Sequence, residues 1–129
     1  MQAAAAKQSN VAQLRHTHAA IEFLENAITL FKTLDPDVPL NSVLVFLQTC
    51  LGYTEDVCFR DLAKQLETST PTTSRLVAAL TEERGGLGLV QTKTNYHDNR
   101  RRSLYLTTKG RLVRDQLLEK YQYLFEART

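Results

Sequence analysis

Arg60-Asp61-Leu62-Ala63-Lys64-Gln65-Leu66-Glu67-Thr68-Ser69-Thr70-Pro71-Thr72-Thr73-Ser74-Arg75-Leu76-Val77-Ala78-Ala79-Leu80 reads as two short amphipathic helices joined by a turn. Leu62, Ala63 and Leu66 share one side of the first helix. Thr68-Ser69 forms the turn. Thr70 is expected to cap the second helix, with Pro71 in its first turn, where a missing N–H costs nothing. Leu76, Val77 and Leu80 recur at helical spacing and turn inward. Helices joined so tightly cross steeply, as in a helix-turn-helix. Ala63 is small where the two would touch, Glu67 stands where a glycine often eases such a turn, and Thr73 is expected to be half-buried. Thr72, Ser74, Arg75 and Ala78 largely miss the apolar side. They are small or hydrogen-bonding, with one guanidinium, which suits the edge of a base pair in a major groove. An ordinary amphipathic helix would also carry a polar outer face.

The next residues narrow that choice. Arg84-Gly85-Gly86-Leu87-Gly88 stops a helix and allows positive φ. Leu89-Val90-Gln91-Thr92-Lys93-Thr94 is β-prone, and Ser103-Leu104-Tyr105-Leu106-Thr107 alternates as a half-buried strand does. Between them Asn95-Tyr96-His97-Asp98-Asn99-Arg100-Arg101-Arg102 makes a hairpin tip bearing consecutive arginines. A solvated charge run is the plain reading; beside a helix-turn-helix such a tip meets phosphates or a minor groove. The residues expected to meet DNA are Ser69, Thr70, Thr72, Ser74, Arg75, Lys93, His97, Arg100, Arg101 and Arg102.

Asp98-Asn99-Arg100, followed by Leu106-Thr107-Thr108-Lys109-Gly110, resembles the D-x-R…L-T-x-x-G signature of the MarR family of winged-helix regulators. Thr72-Thr73-Ser74-Arg75-Leu76-Val77 sits where that family carries its recognition helix, and Gly88-Leu89-Val90 where it carries G-L-V. The resemblance covers residues 40–118. It implies a homodimer on a pseudo-palindromic operator, with Arg100 inserted in a minor groove and Asp98 orienting it. It further implies a small aromatic effector between body and head, although no convergent polar set in the sequence names one. Two features differ from the family pattern: residues 84–87 look inserted, and the chain ends soon after the helix that follows Gly110, so the resemblance does not carry over the family's usual dimer geometry.

The length of 129 residues suits one domain, here read as residues 1–129. A DNA-binding head over 40–106 would sit on dimerisation helices over 11–34 and 107–127. The expected fold class is mainly α with a small antiparallel β wing. An apolar fraction of 43% and a charged fraction of 23% are those of a globular protein. No run is apolar enough to span a bilayer, and residues 1–10 do not read as a signal peptide, so no membrane partner and a cytoplasmic location are expected. Net charge is only +2. Its distribution says more: residues 60–114 hold eleven Lys/Arg against five Asp/Glu, and the remainder is acidic. A basic head on an acidic body is the electrostatic footprint of a DNA-binding protein.

Residues 13–34 read as a long helix with two apolar stripes. Leu14, Ile21, Leu24, Ile28 and Phe31 make one; Ala20, Phe23, Ala27, Leu30 and Leu34 make the other. One stripe docks a helix on its own domain, and two imply cover from two sides, most simply by a second protomer. A single wide stripe buried within one monomer is the alternative. Asp35-Pro36-Asp37-Val38-Pro39 is a stiff connector. A core helix should follow, capped by Asn41, with Val43, Leu44, Phe46, Leu47 and Leu51 buried under the head. Val57-Cys58-Phe59 reads as a third strand edging the wing. The last helix, capped by Thr107 or Thr108, carries Val113, Leu117, Leu118, Tyr121, Leu124 and Phe125 over a broad arc, with Tyr123 outside it. Leu14, Ile21, Leu24, Ile28, Leu117, Tyr121 and Leu124 are the expected dimerisation residues.

Other chemistries find little support. Cys50 and Cys58 lack a C-x-x-C or a neighbouring histidine cluster, so they read as inert thiols and no metal or cofactor is expected. His16 and His18 do not share a helix face, and His18 with Glu22 reads as a surface pair. No nucleophile sits in a recognisable elbow, and Gly85-Gly86-Leu87-Gly88 follows a helix and precedes a strand, the reverse of a phosphate loop. The reading is a homodimeric, sequence-specific regulator of transcription, a repressor. The alternatives are a phage or plasmid winged-helix protein that binds DNA without sensing an effector, and a winged-helix module for protein contacts.

Overall fold

The computed structural model describes residues 2–126. Helix α1 (Gln2–Leu34) begins well before the expected start, because alanine, lysine and glutamine extend a helix by propensity alone where no apolar stripe guides it. Its second stripe packs within the chain: Phe23 meets Tyr121 edge-on at 6.1 Å, and Leu30 and Leu34 rest on the core, where Phe31 of the first stripe also meets Phe46 edge-on at 5.6 Å. Of the first stripe, Phe31 is buried but Leu14, Ile21, Leu24 and Ile28 are 54–68% exposed.

Helix α2 (Leu40–Cys50) departs from expectation twice. Pro39, not Asn41, holds the cap position, with its carbonyl accepting from the Ser42 N–H at 3.0 Å. The buried face is Ser42, Val45, Phe46 and Thr49, so Leu44, Leu47 and Leu51 point outward with Leu40. Small polar residues let α2 lie close to its neighbours: the Ser42 hydroxyl reaches the Leu76 carbonyl at 3.4 Å, and the Thr49 hydroxyl is satisfied by the Val45 carbonyl at 2.8 Å. Hydrophobicity alone could not tell which side of this leucine-rich helix faced in.

A three-stranded antiparallel sheet has the order β1-β3-β2, with β1 (Val57–Cys58), β2 (Val90–Thr94) and β3 (Arg101–Leu106). Phe59, read as strand, instead opens α3 (Phe59–Gln65). Strand β3 starts at Arg101 because Val57 and Cys58 pair with Arg102 and Arg101 and draw them into the sheet. Helix α3 ends in a tight double closure, Thr68 N–H to Ala63 carbonyl and Glu67 N–H to Lys64 carbonyl, with Glu67 at φ +54°. The position asks for glycine, and glutamate occupies it at some conformational cost. Helix α4 (Thr70–Leu80) then crosses α3 and α2.

A short 3₁₀ turn (Glu83–Gly85) leads from α4 to the sheet. A Cβ at Gly86 would strike the carbonyl of Thr81, so the chain passes close under the end of α4 only because this residue is glycine. Helix α5 (Thr108–Tyr121) is capped by Thr107 and continues as a π-helical segment (Gln122–Glu126). Leu124 is buried and Phe125 half-buried, the latter stacked on Tyr121 at 4.7 Å. Leu124 therefore belongs to the chain's own core and not to an exposed dimerisation face; Leu117 likewise packs against the core. Ala127, the expected end of the last helix, lies outside the described residues. Val45, Phe46, Leu80, Leu89, Val90 and Leu104 form the most deeply buried apolar set, where α2, α4 and the sheet meet. No helix among the described residues is long and apolar enough to cross a membrane.

Candidate nucleic-acid interface

Ser69, not Thr70, caps α4. Its hydroxyl oxygen accepts from the Thr72 N–H at 3.2 Å and donates to the Thr72 hydroxyl at 2.8 Å. Thr70 and Pro71 thus lie in the first helical turn. Thr72 is half-buried and its hydroxyl is engaged with Ser69, so it is less free to read a base than the sequence implied. Thr73 is fully buried rather than half-buried, and its hydroxyl is satisfied by the Ser69 carbonyl at 3.0 Å. The exposed side of α4 consists of Thr70, Pro71, Ser74, Arg75 and Ala79, while Ala78 is half-buried. Arg75 also borders an open cleft of about 560 Å³ shared with Leu34, Asp35 and Glu83.

The hairpin between β2 and β3 sorts its arginines into three environments. Arg100 stands out from the tip, its side chain 83% exposed. Asp98 Oδ1 accepts from its Nε at 3.2 Å and from its backbone N–H at 3.0 Å. These bonds hold the Asp98 carboxyl below its ordinary value and push the Arg100 guanidinium up. Arg101 turns back instead: its Nε donates to Asp56 Oδ1 at 3.2 Å and its Nη2 to the Asp56 carbonyl at 2.6 Å. Arg102 lies over the Phe59 ring at 5.1 Å, a cation–π contact with the start of α3. Both lie in β3 and not at the tip. Lys93 sits over the Tyr105 ring at 5.8 Å. His97 and Tyr96 are exposed, Tyr96 at 98%.

Three residues escaped the sequence reading. Tyr96 carries no pattern that marks it. Asn95 shapes the tip: its Oδ1 accepts from the N–H groups of His97 at 2.8 Å and Asp98 at 3.2 Å, a local turn that Asn at this position could have signalled. Asp56 meets the hairpin across 39 and 45 residues of chain, and no local signal could have found it. Hydrogen bonds from Asn95 and Arg101 hold its carboxyl below the ordinary range, the Asn95 bond contributing most. Burial pushes the half-buried Cys50 thiol up, which keeps it protonated at neutral pH and a poor nucleophile. Among the described residues no group of His, Cys, Asp and Glu gathers to hold a metal ion.

No family model matches the chain, and no curated protein does. Solved structures do. The S. aureus MepR–DNA complex aligns with a TM-score of 0.56 at 18% identity, over 92% of this chain and 78% of that one. The transcriptional regulator Tm0710 from Thermotoga maritima aligns with a TM-score of 0.60 at 16% identity, over 88% and 78%. CouR from Rhodococcus jostii, bound to p-coumaroyl-CoA, aligns with a TM-score of 0.53 at 20% identity, over 84% and 71%. The chain has the MarR-like winged-helix fold. In this MarR-like frame α3 and α4 are the helix-turn-helix, and β2, β3 and their tip are the wing. The signature residues fall at its joints: Asp98 and Arg100 pair at the wing tip, and Thr107 caps α5.

Proposed function

We propose that the protein is a sequence-specific, double-stranded-DNA-binding transcriptional regulator that acts as a homodimeric repressor. The observation that carries this reading is Arg100, held out into solvent by the two bonds it donates to Asp98 at the tip of a wing. A guanidinium preset in this way suits a narrow, electronegative minor groove. The exposed Ser74 and Arg75 of α4 would then address base edges in the adjacent major groove, and Arg102 and Lys93 the phosphates. DNA bound to MepR, which shares the fold, supports the same reading.

The exposed stripe on α1 supports the dimer. Isolated apolar residues on a surface need no explanation, but four at helical spacing on one helix mark an interaction face. A two-fold dimer would place two heads on half-sites about one DNA turn apart, hence a pseudo-palindromic operator, and would exclude polymerase from an overlapping promoter. A small aromatic effector belongs to the same proposal; the ligand bound to CouR supports it.

Selection of bound sequences from random duplex DNA tests the reading. An enriched, two-fold symmetric motif bound with steep salt dependence is expected. Enrichment of nothing, with salt-insensitive residual binding, would instead favour a module for protein contacts.

A further inference from the structure

The turn between α2 and β1 presents a residue that the DNA-reading proposal leaves unused. Asp56 lies at φ +52°, a left-handed conformation that side chains avoid and aspartate tolerates better than most. One oxygen of its carboxylate, its carbonyl and its N–H are all engaged by the wing. Its Oδ1 accepts from Asn95 Nδ2 at 2.9 Å and from Arg101 Nε at 3.2 Å; its carbonyl accepts from Arg101 Nη2 at 2.6 Å; its N–H donates to the Ser103 hydroxyl at 2.8 Å. Two residues earlier, the buried Thr54 brackets β3 from the same side. Its carbonyl accepts from the Leu104 N–H at 2.9 Å, and its hydroxyl donates to the Leu104 carbonyl at 3.2 Å.

Asn95 carries the connection to the tip. One end of its amide holds Asp56, and the other caps the N–H groups of His97 and Asp98. Asp98 in turn holds Arg100. A continuous hydrogen-bonded path thus runs from the turn between α2 and β1 to the exposed guanidinium. A two-stranded hairpin is marginal by itself, and β1 braces it through only Val57 and Cys58. Without the path, the direction of the wing would have to be ordered on binding, at a cost in affinity.

We propose that Asp56 is the positioning residue of the wing, fixing the tip through Asn95, and that Arg101 is its clamp rather than a phosphate contact. The inference rests on the reading of the wing as a DNA contact, but the clamp itself is a property of the free protein. The test therefore has two arms, run on the full chain with Asp56→Ala, Asp56→Asn, Arg101→Ala, Arg102→Ala and the Asp56→Ala/Arg101→Ala double variant.

In the first arm, amide hydrogen exchange without DNA should accelerate roughly tenfold at His97 and Asp98 in Asp56→Ala, with exchange in α2 and α4 unchanged. Asp56→Asn keeps an accepting oxygen and should restore most of the protection. In the second arm, affinity for a selected duplex is measured across a salt series. Asp56→Ala and Arg101→Ala should each lose about tenfold, and the double variant no more than either, with the salt slope kept. Arg102→Ala should lower the slope by about 0.9. A fall of that size in Arg101→Ala, additivity in the double variant, or unchanged tip exchange in Asp56→Ala would each overturn the proposal. If the parent binds no duplex at all, the DNA reading falls, and the exchange arm alone decides whether Asp56 positions the wing.

Discussion

Thr107 donates its hydroxyl to the Gly88 carbonyl at 2.6 Å, across 19 residues of chain, while the same oxygen accepts from the Gly110 N–H at 3.0 Å. One side chain thus caps α5 and ties it to the segment entering β2. Its own N–H donates to the Leu89 carbonyl at 3.1 Å, and Lys109 Nζ reaches the Leu87 carbonyl at 2.9 Å. A Cβ on Gly110 would strike the Leu89 carbonyl. The Leu106-Thr107-Thr108-Lys109-Gly110 run is therefore the joint between the wing and the last helix, and its spacing is set by helix capping and close backbone approach.

That joint predicts a graded loss of stability. Thr107→Val keeps the volume but leaves the cap open, and should cost about 1–2 kcal/mol in urea unfolding. Gly110→Ala forces backbone against backbone and should cost about 3 kcal/mol. Equal stability of Gly110→Ala and the parent would mean that α5 can shift off Leu89, contrary to this packing.

The outward stripe of α1 predicts a dimer whose contact can be removed without unfolding the protomer. Light scattering should give twice the chain mass at micromolar concentration. The Leu24→Asp/Ile28→Asp double variant should give the monomer mass with an unchanged far-ultraviolet spectrum, because both residues are exposed in the single chain. A monomeric parent would count against the dimer.

Arg75 and Arg102 should fail differently. Arg75 is exposed on α4, and losing a bidentate base contact should cost about 1–3 kcal/mol on the matched operator and relax preference at that base pair. Arg102 lies on β3 beside Phe59, so its loss should weaken matched and scrambled duplexes alike. Full discrimination in Arg75→Ala, together with lost discrimination in Arg102→Ala, would make the wing the reader.

The Asp98–Arg100 pair sets an acid limit on the wing. A carboxylate with a depressed folded pKa keeps its contact above the unfolded value and loses it as pH falls through the folded one. The contact should accordingly be intact at neutral pH and through the ordinary aspartate value of 3.8, opening only in more acid solution. A carboxyl titration by nuclear magnetic resonance should place the Asp98 midpoint below 3.8, moving upward in Arg100→Ala. A midpoint at or above the ordinary value in the parent would show that the pair does not hold in solution.

What the sequence determined by itself was local or periodic. The α3–turn–α4 succession, the β2–β3 hairpin and a threonine cap at Thr107 or Thr108 were legible because spacing, glycines and capping residues act within a few positions. Even there the cap of α4 slipped from Thr70 to Ser69, since both carry a hydroxyl and only the backbone path chooses between them. The tertiary structure alone decided which face of a many-sided apolar helix is buried. On α2 it chose Ser42 and Thr49 over Leu44 and Leu47, because close approach to α4 and the sheet needs small side chains that can bond a carbonyl. On α1 it divided two similar stripes into one packed and one open except at Phe31. The hairpin arginines show the same limit: adjacent in sequence, Arg100, Arg101 and Arg102 go to solvent, to Asp56 and to Phe59. Strand alternation separates neighbours, and the groups that receive them lie on distant parts of the chain, where no local pattern could announce them.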